Sequence, residues 1–71
     1  MHINFTNHAK GRIDERNISI LHIERTLKTP DTTSRGFDGT SISRKAFGGK
    51  ILEIVYTESK KGVVVITAYY L

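Results

Sequence analysis

Ile42-Ser43-Arg44-Lys45-Ala46-Phe47-Gly48-Gly49-Lys50-Ile51-Leu52-Glu53-Ile54-Val55-Tyr56-Thr57 contains two strand-like runs joined by a pair of glycines. β-Branched and aromatic side chains fit a pleated, half-buried surface, so Ile42–Phe47 and Lys50–Thr57 both read as strands. A two-residue glycine connection between such runs signals a hairpin, because tight hairpin turns need positive φ. Downstream, Ser59-Lys60-Lys61-Gly62 supplies a second turn and Val63–Tyr70 a third strand. On that strand Val63, Val65, Thr67 and Tyr69 alternate to one face, and Val64, Ile66, Ala68 and Tyr70 to the other. The smaller, more apolar second set is expected beneath helices, which leaves Thr67 and Tyr69 projecting from the opposite face.

Working back toward the start, Asp31 to Thr40 is rich in Thr, Ser, Asp and Gly and reads as a loop, with a short edge strand near Thr33–Phe37. The first half is helical in pattern. Thr6 can cap a helix running to about Asn17, with Ala9 and Ile13 as a narrow apolar stripe. Ser19 can cap a second helix, where Ile20, Ile23 and Leu27 share one face. Pro30 ends it, because the residue before a proline is pushed out of the helical region. Two helices covering one face of a three- to four-stranded antiparallel sheet make an α+β domain spanning residues 1–71.

Composition narrows the function classes. The chain has 71 residues, no cysteine and a formal charge of +4. Disulfide staples and thiolate metal sites are therefore excluded. The length leaves room for one small core and no deep substrate cavity. No apolar run approaches the ~18 residues of a membrane span, and the start lacks a signal peptide, so a cytoplasmic protein with no membrane partner is expected. Nine Lys/Arg and five Asp/Glu fall in residues 1–50, against two of each in 51–71. The excess is either ordinary solubility charge or a surface for an anionic partner such as RNA or an acidic protein segment.

His8, Arg12 and Arg16 recur at i, i+4 and i+8 and form a cationic ridge beside the Ala9/Ile13 stripe. Arginine offers a planar donor fork to phosphate oxygens, and histidine titrates near neutral pH. The alternative is a solvated helix edge, with Arg16 paired to a carboxylate or to capping carbonyls. Thr67 and Tyr69 offer hydroxyls on the last strand. Arg44, Lys45 and Lys50 make a basic hairpin tip, either a phosphate clamp or a soluble turn. Glu53 can serve as a general base, although a lone strand glutamate is more often solvated. His2 sits at an expected mobile terminus, and His22 at the edge of the core or in solvent. The three histidines have no metal-ligand spacing, so no metal and no cofactor are expected.

Phe5-Thr6-Asn7-His8-Ala9-Lys10-Gly11-Arg12-Ile13-Asp14-Glu15-Arg16-Asn17-Ile18-Ser19 resembles the H-A-x-x-R-x-x-E-R-x-I-S opening of a family of small bacterial domains of unknown function. Leu27-Lys28-Thr29-Pro30, the glycine hairpin and Val65-Ile66-Thr67-Ala68-Tyr69 follow in that family's order. The family is similar to BrnT-type toxins and, more distantly, to the RelE-like and barnase-like ribonucleases. The resemblance implies a metal-independent RNA endonuclease, the toxin of a toxin–antitoxin pair. It assigns His8, Arg12, Arg16, Thr67 and Tyr69 to the site, with Lys50 as a further member. Gly11 departs from the pattern, since a better helix former is usual there.

On that reading the RNA 2′-hydroxyl attacks the adjacent phosphate. His8 acts as acid or base, the two arginines hold the phosphate, and Tyr69 assists the leaving oxygen. Arg44, Lys45 and Lys50 are the expected RNA-binding residues. The alternative is a non-catalytic module of the same fold that binds RNA or an antitoxin protein. A sheet edge left open by so few strands also offers pairing in a homodimer.

Overall fold

The structure is a computed structural model and describes residues 2–71. Its elements run β1 (Ile3–Phe5), α1 (Asn7–Glu15), α2 (Ile20–Lys28), β2 (Thr32–Arg35), a 3-10 turn (Phe37–Gly39), β3 (Ser41–Phe47), β4 (Lys50–Ser59) and β5 (Gly62–Tyr70). One five-stranded sheet forms in the order β1-β5-β4-β3-β2. The three- to four-stranded antiparallel sheet expected from sequence is corrected here: the sheet is mixed. The additional strand is β1, which pairs parallel to β5 with Ile3 opposite Val63 and Phe5 opposite Val65. Three residues are too few to show a period. His2 is tied down by the same pairing, since its carbonyl accepts from Val63 N–H at 2.8 Å, so this residue is anchored and not at a loose end.

Both helices start where the sequence marks them. The Thr6 hydroxyl accepts from Ala9 N–H, and the Ser19 hydroxyl from His22 N–H. Each satisfies one donor that the first helical turn leaves orphaned. α1 ends at Glu15, two residues short of expectation, and Asn17 takes φ 51° to turn the chain toward α2. Asparagine tolerates that left-handed conformation better than most residues. The edge strand also differs slightly, at Thr32–Arg35.

Ala9, Ile13, Ile23 and Leu27 on the helices meet Leu52, Ile54, Tyr56, Val63, Val65 and Ala68 on the sheet. Fully burying a Leu, Ile or Val side chain contributes about 1.5–3 kcal/mol, so this single layer of contacts is the main source of stability. The inward set of β5 corrects the simple alternation expected from sequence. Val55 pairs with Thr67, but Tyr56 pairs with Val65, so Ile66 is an extra residue in a β-bulge. The bulge reverses the alternation within β5. Val63 and Val65 point into the core before it, and Ala68 does so after it, while Val64 is exposed. Thr67 and Tyr69 keep their expected side, away from the helices.

Two glycines are required by geometry. Gly48 opens the β3–β4 turn at φ 63°. Gly62 sits at φ 133°, and a Cβ there would lie 2.2 Å from the His2 carbonyl oxygen, so the β1–β5 pairing depends on that position having no side chain.

Candidate active site

Counting back from the Gly48-Gly49 turn sets Arg44 of β3 opposite Glu53 of β4. Across the other edge of β4, Glu53 faces Tyr69 of β5. The three side chains therefore lie in one row across three strands, on the face that carries no helix. The carboxylate joins them. Its Oε1 accepts from Arg44 Nε at 2.5 Å, and its Oε2 accepts from the Tyr69 hydroxyl.

The Glu53 side chain is 5 % exposed and the Arg44 side chain 50 %. No helix covers this face, so the neighbours themselves bury the acid: Arg44 and Tyr69 close over it from the two adjacent strands. Taking a carboxylate out of water costs several kcal/mol unless charged and hydrogen-bonding partners replace the solvent. Here a guanidinium and a phenol do so, one on each oxygen, and charge-assisted bonds of this kind are roughly twice as strong as neutral ones. Arg44 uses Nε for this bond. Its outer guanidinium nitrogens belong to a half-exposed group and remain geometrically suited to a planar or tetrahedral anion. Thr67, paired with Val55, shares the face one step along β5.

The chemistry available is specific. A carboxylate accepts a proton, a phenol donates one, and the two are joined by a hydrogen bond. A guanidinium beside them stabilises added negative charge. No group of three or more His, Cys, Asp or Glu side chains suited to a metal ion occurs among the described residues.

The residues expected from sequence are divided between the two sides of the sheet. His8 is exposed on α1, in the helical layer, while Thr67 and Tyr69 leave the other face. Arg12 pairs with Glu15 on the same helix at 2.8 Å, a surface contact of small energetic weight. Arg16 reaches β5: its Nη1 donates to the Ala68 carbonyl at 3.0 Å, the main-chain oxygen between Thr67 and Tyr69. Its role there is to satisfy a carbonyl on a strand edge that β1 does not extend far enough to cover. Arg44 and Lys45 are neighbours in β3 and point to opposite faces. Lys45 donates to the Thr29 carbonyl at 2.7 Å. Lys50 lies 5.3 Å from the centre of the Tyr70 ring, and the Tyr70 hydroxyl is within 3.2 Å of His22 Nδ1. His22 is half-buried and stacks on Phe47 at 3.9 Å. Of the expected cationic and hydroxyl residues, then, Arg44, Thr67 and Tyr69 share a face, while Lys45 and Lys50 lie on the other.

Glu53 is the residue that sequence reasoning undervalued. The sequence offers it as a general base or, more commonly for a lone strand glutamate, a solvated residue, and it is buried. A usable signal existed: one acid interrupts the apolar run Ile51–Tyr56, and the glycine turn fixes Arg44 opposite it. The second partner was not visible, because without the bulge Glu53 faces Ala68.

No helix among the described residues is long and apolar enough to cross a membrane. No curated protein and no solved structure gives a significant match to the chain. A family model does match, over residues 5–70, covering α1 and every partner in the Arg44–Glu53–Tyr69 row. The chain belongs to the family described as Domain of unknown function (DUF4258).

Proposed function

We propose that this domain is a metal-independent RNA endonuclease that cleaves by 2′-hydroxyl transesterification. The observation that carries the reading is the buried Glu53 carboxylate held between Arg44 and Tyr69 on an accessible sheet face. Glu53 takes the proton of the 2′-hydroxyl as that oxygen bonds to phosphorus, a step for which the half-exposed Arg44 side chain swings off Oε1 toward the phosphate and uncovers the carboxylate. Tyr69 gives its proton to the departing 5′-oxygen and is reprotonated by Glu53 through their shared hydrogen bond. Protons balance, and the enzyme returns to its starting state. A positioned acid or base contributes about 10²–10⁴ in rate. Arg44 stabilises the charge of the phosphorane, and loss of one such donor costs about 3–4 kcal/mol. Thr67 orients a phosphate oxygen. The net charge of +4 favours a polyanionic substrate.

The motif resemblance to BrnT-type and RelE-like ribonucleases is the sole ground for adding to this proposal the role of a toxin held by an antitoxin. The fully exposed edge strand Thr32–Arg35 is a place where a partner's strand, or a second copy, can pair. The test is incubation of the purified protein with RNA in EDTA. Products ending in 2′,3′-cyclic phosphate and 5′-hydroxyl support the enzyme. Binding without cleavage supports the non-catalytic RNA-binding module instead.

A further inference from the structure

β2 is the outer strand on one side of the sheet, and every residue in it is exposed. Its backbone groups alternate in direction. Thr32 lies opposite Arg44 and Ser34 opposite Ile42, and in the same register Gly36 N–H donates to Thr40 O at 2.9 Å. Hydrogen-bonded and non-bonded positions alternate along an antiparallel pair, so Thr32, Ser34 and Gly36 turn their backbone groups to β3. Thr33 and Arg35 turn theirs to the open edge. Such an edge is a template for a further strand, and lysine, proline or a bulge commonly blocks it. None of these interrupts Thr32–Arg35.

The edge is self-complementary. With a second copy running antiparallel and Thr33 on the two-fold axis, the two Thr33 residues exchange both backbone hydrogen bonds. Arg35 of each copy then comes level with Asp31 of the other. Among the described residues Arg35 makes no ion pair within its own chain, and the Asp31 side chain is 52 % exposed.

The same two-fold axis carries the turn after β2 to the start of β2 in the other copy. That turn holds Phe37 at 85 % exposure. It is fixed from within, because the Thr40 hydroxyl and N–H both donate to the Phe37 carbonyl, at 2.7 and 3.2 Å. At the start of β2, β3 runs on from Lys45 to Phe47 with no strand beside it. A hollow of about 210 Å³ remains there, beside Asp31, Ala46 and Ile51. An exposed aromatic ring and a hollow thus lie at opposite ends of one edge, as a reciprocal two-fold contact requires.

We infer that the domain forms a two-fold dimer through antiparallel pairing of β2 with β2 of a second copy, with Phe37 of each seated at the hollow of the other. Two five-stranded sheets then join into one, with both helix-free faces on the same side. The two Arg44–Glu53–Tyr69 rows lie about 24 Å apart on that face, five strand spacings. The pairing does not depend on the ribonuclease reading. The edge is short, and the two phenylalanines bury only about 300–500 Å², so the expected dissociation constant is on the order of 10–100 µM.

Sedimentation equilibrium of the full chain from about 10 µM to about 1 mM, with amide exchange at both ends of that range, tests it. The expected result is a monomer at low concentration and a dimer at high, with protection gained at the Thr33 and Arg35 amides. Thr33→Pro removes an N–H that β3 does not use, and proline is tolerated on an open edge. It is expected to abolish the dimer and leave the thermal midpoint near wild type. Phe37→Ala is expected to weaken the dimer about 10-fold or more. Arg35→Glu, which sets like charges against each other on an exposed side chain, is expected to weaken it about fivefold and carries the same test if Thr33→Pro does not fold. A monomer throughout the range, a dimer that these substitutions leave unweakened, or protection gained elsewhere than at Thr33 and Arg35 overturns the pairing. Dimer formation without RNA cleavage leaves the pairing standing and removes the catalytic reading.

Discussion

Tyr69 faces Glu53 across β4 and β5 because β5 carries one extra residue, Ile66. Counted from the turn alone, Glu53 meets Ala68, and Tyr69 lies beneath the helices. The bulge moves the phenol onto the open face and Ala68 into the core in one step. It also gives α1 an anchor, since the Ile66 carbonyl accepts from the Thr6 hydroxyl that caps the helix. Bulges commonly re-aim side chains near functional sites, and here the same irregularity serves core, helix start and candidate site.

Arg44→Ala leaves the Glu53 carboxylate buried with only the phenol. The expected cost is about 1–3 kcal/mol, which lowers the thermal midpoint by about 4–8 °C per kcal/mol in a domain of this size. In a Glu53→Gln background the same substitution is expected to cost less, because the amide carries no charge. Denaturant titration of the four proteins checks this. An equal cost in both backgrounds contradicts a charge-based pairing.

Gly62→Ala forces a Cβ against the His2 carbonyl at a backbone angle that side chains rarely adopt. The expected loss is about 1–3 kcal/mol, concentrated in the β1–β5 pairing. Amide exchange reports it: the Val63 amide loses protection, while the β3–β4 ladder keeps its own. Uniform loss across the sheet contradicts a local origin.

Arg16→Ala removes the donor to the Ala68 carbonyl. About 0.5–1.5 kcal/mol of stability is expected to go with it. If RNA cleavage also falls in proportion to the disturbance of β5, the Tyr69 ring resonances shift with it. Full activity with unshifted Tyr69 resonances restricts Arg16 to holding the strand edge.

His8→Ala is expected to leave the cleavage rate near wild type, since His8 is exposed in the helical layer and the proton-transfer groups lie across the sheet. Single-turnover cleavage of an RNA oligonucleotide measures it. A loss as large as that from Glu53→Gln contradicts the assignment of the base.

Much of the fold was legible. Thr6 and Ser19 announced the helix starts, Pro30 the end of α2, and Gly48-Gly49 the hairpin with its register. β1 was not, since three residues carry no period and parallel pairing has no turn to mark it. The candidate site was legible in part. Arg44 and Tyr69 stood out as residue types, but the acid that joins them was discounted, because burial on a helix-free face arises from the neighbours' own side chains. The ridge of His8, Arg12 and Arg16 holds only in part, since His8 and Arg12 lie on α1 while Arg16 is its C-cap. Its spacing alone did not indicate which side of the sheet the helix would take.

Glu53→Gln tests the central claim most directly. The substitution preserves shape and replaces the proton-accepting carboxylate with a neutral amide. With folding verified by circular dichroism and RNA binding by titration, cleavage in EDTA is expected to fall by about 10²–10⁴, with RNA still bound. Wild-type cleavage by the folded variant, or no cleavage by the wild-type protein itself, contradicts the claim that Glu53 is the base of a ribonuclease.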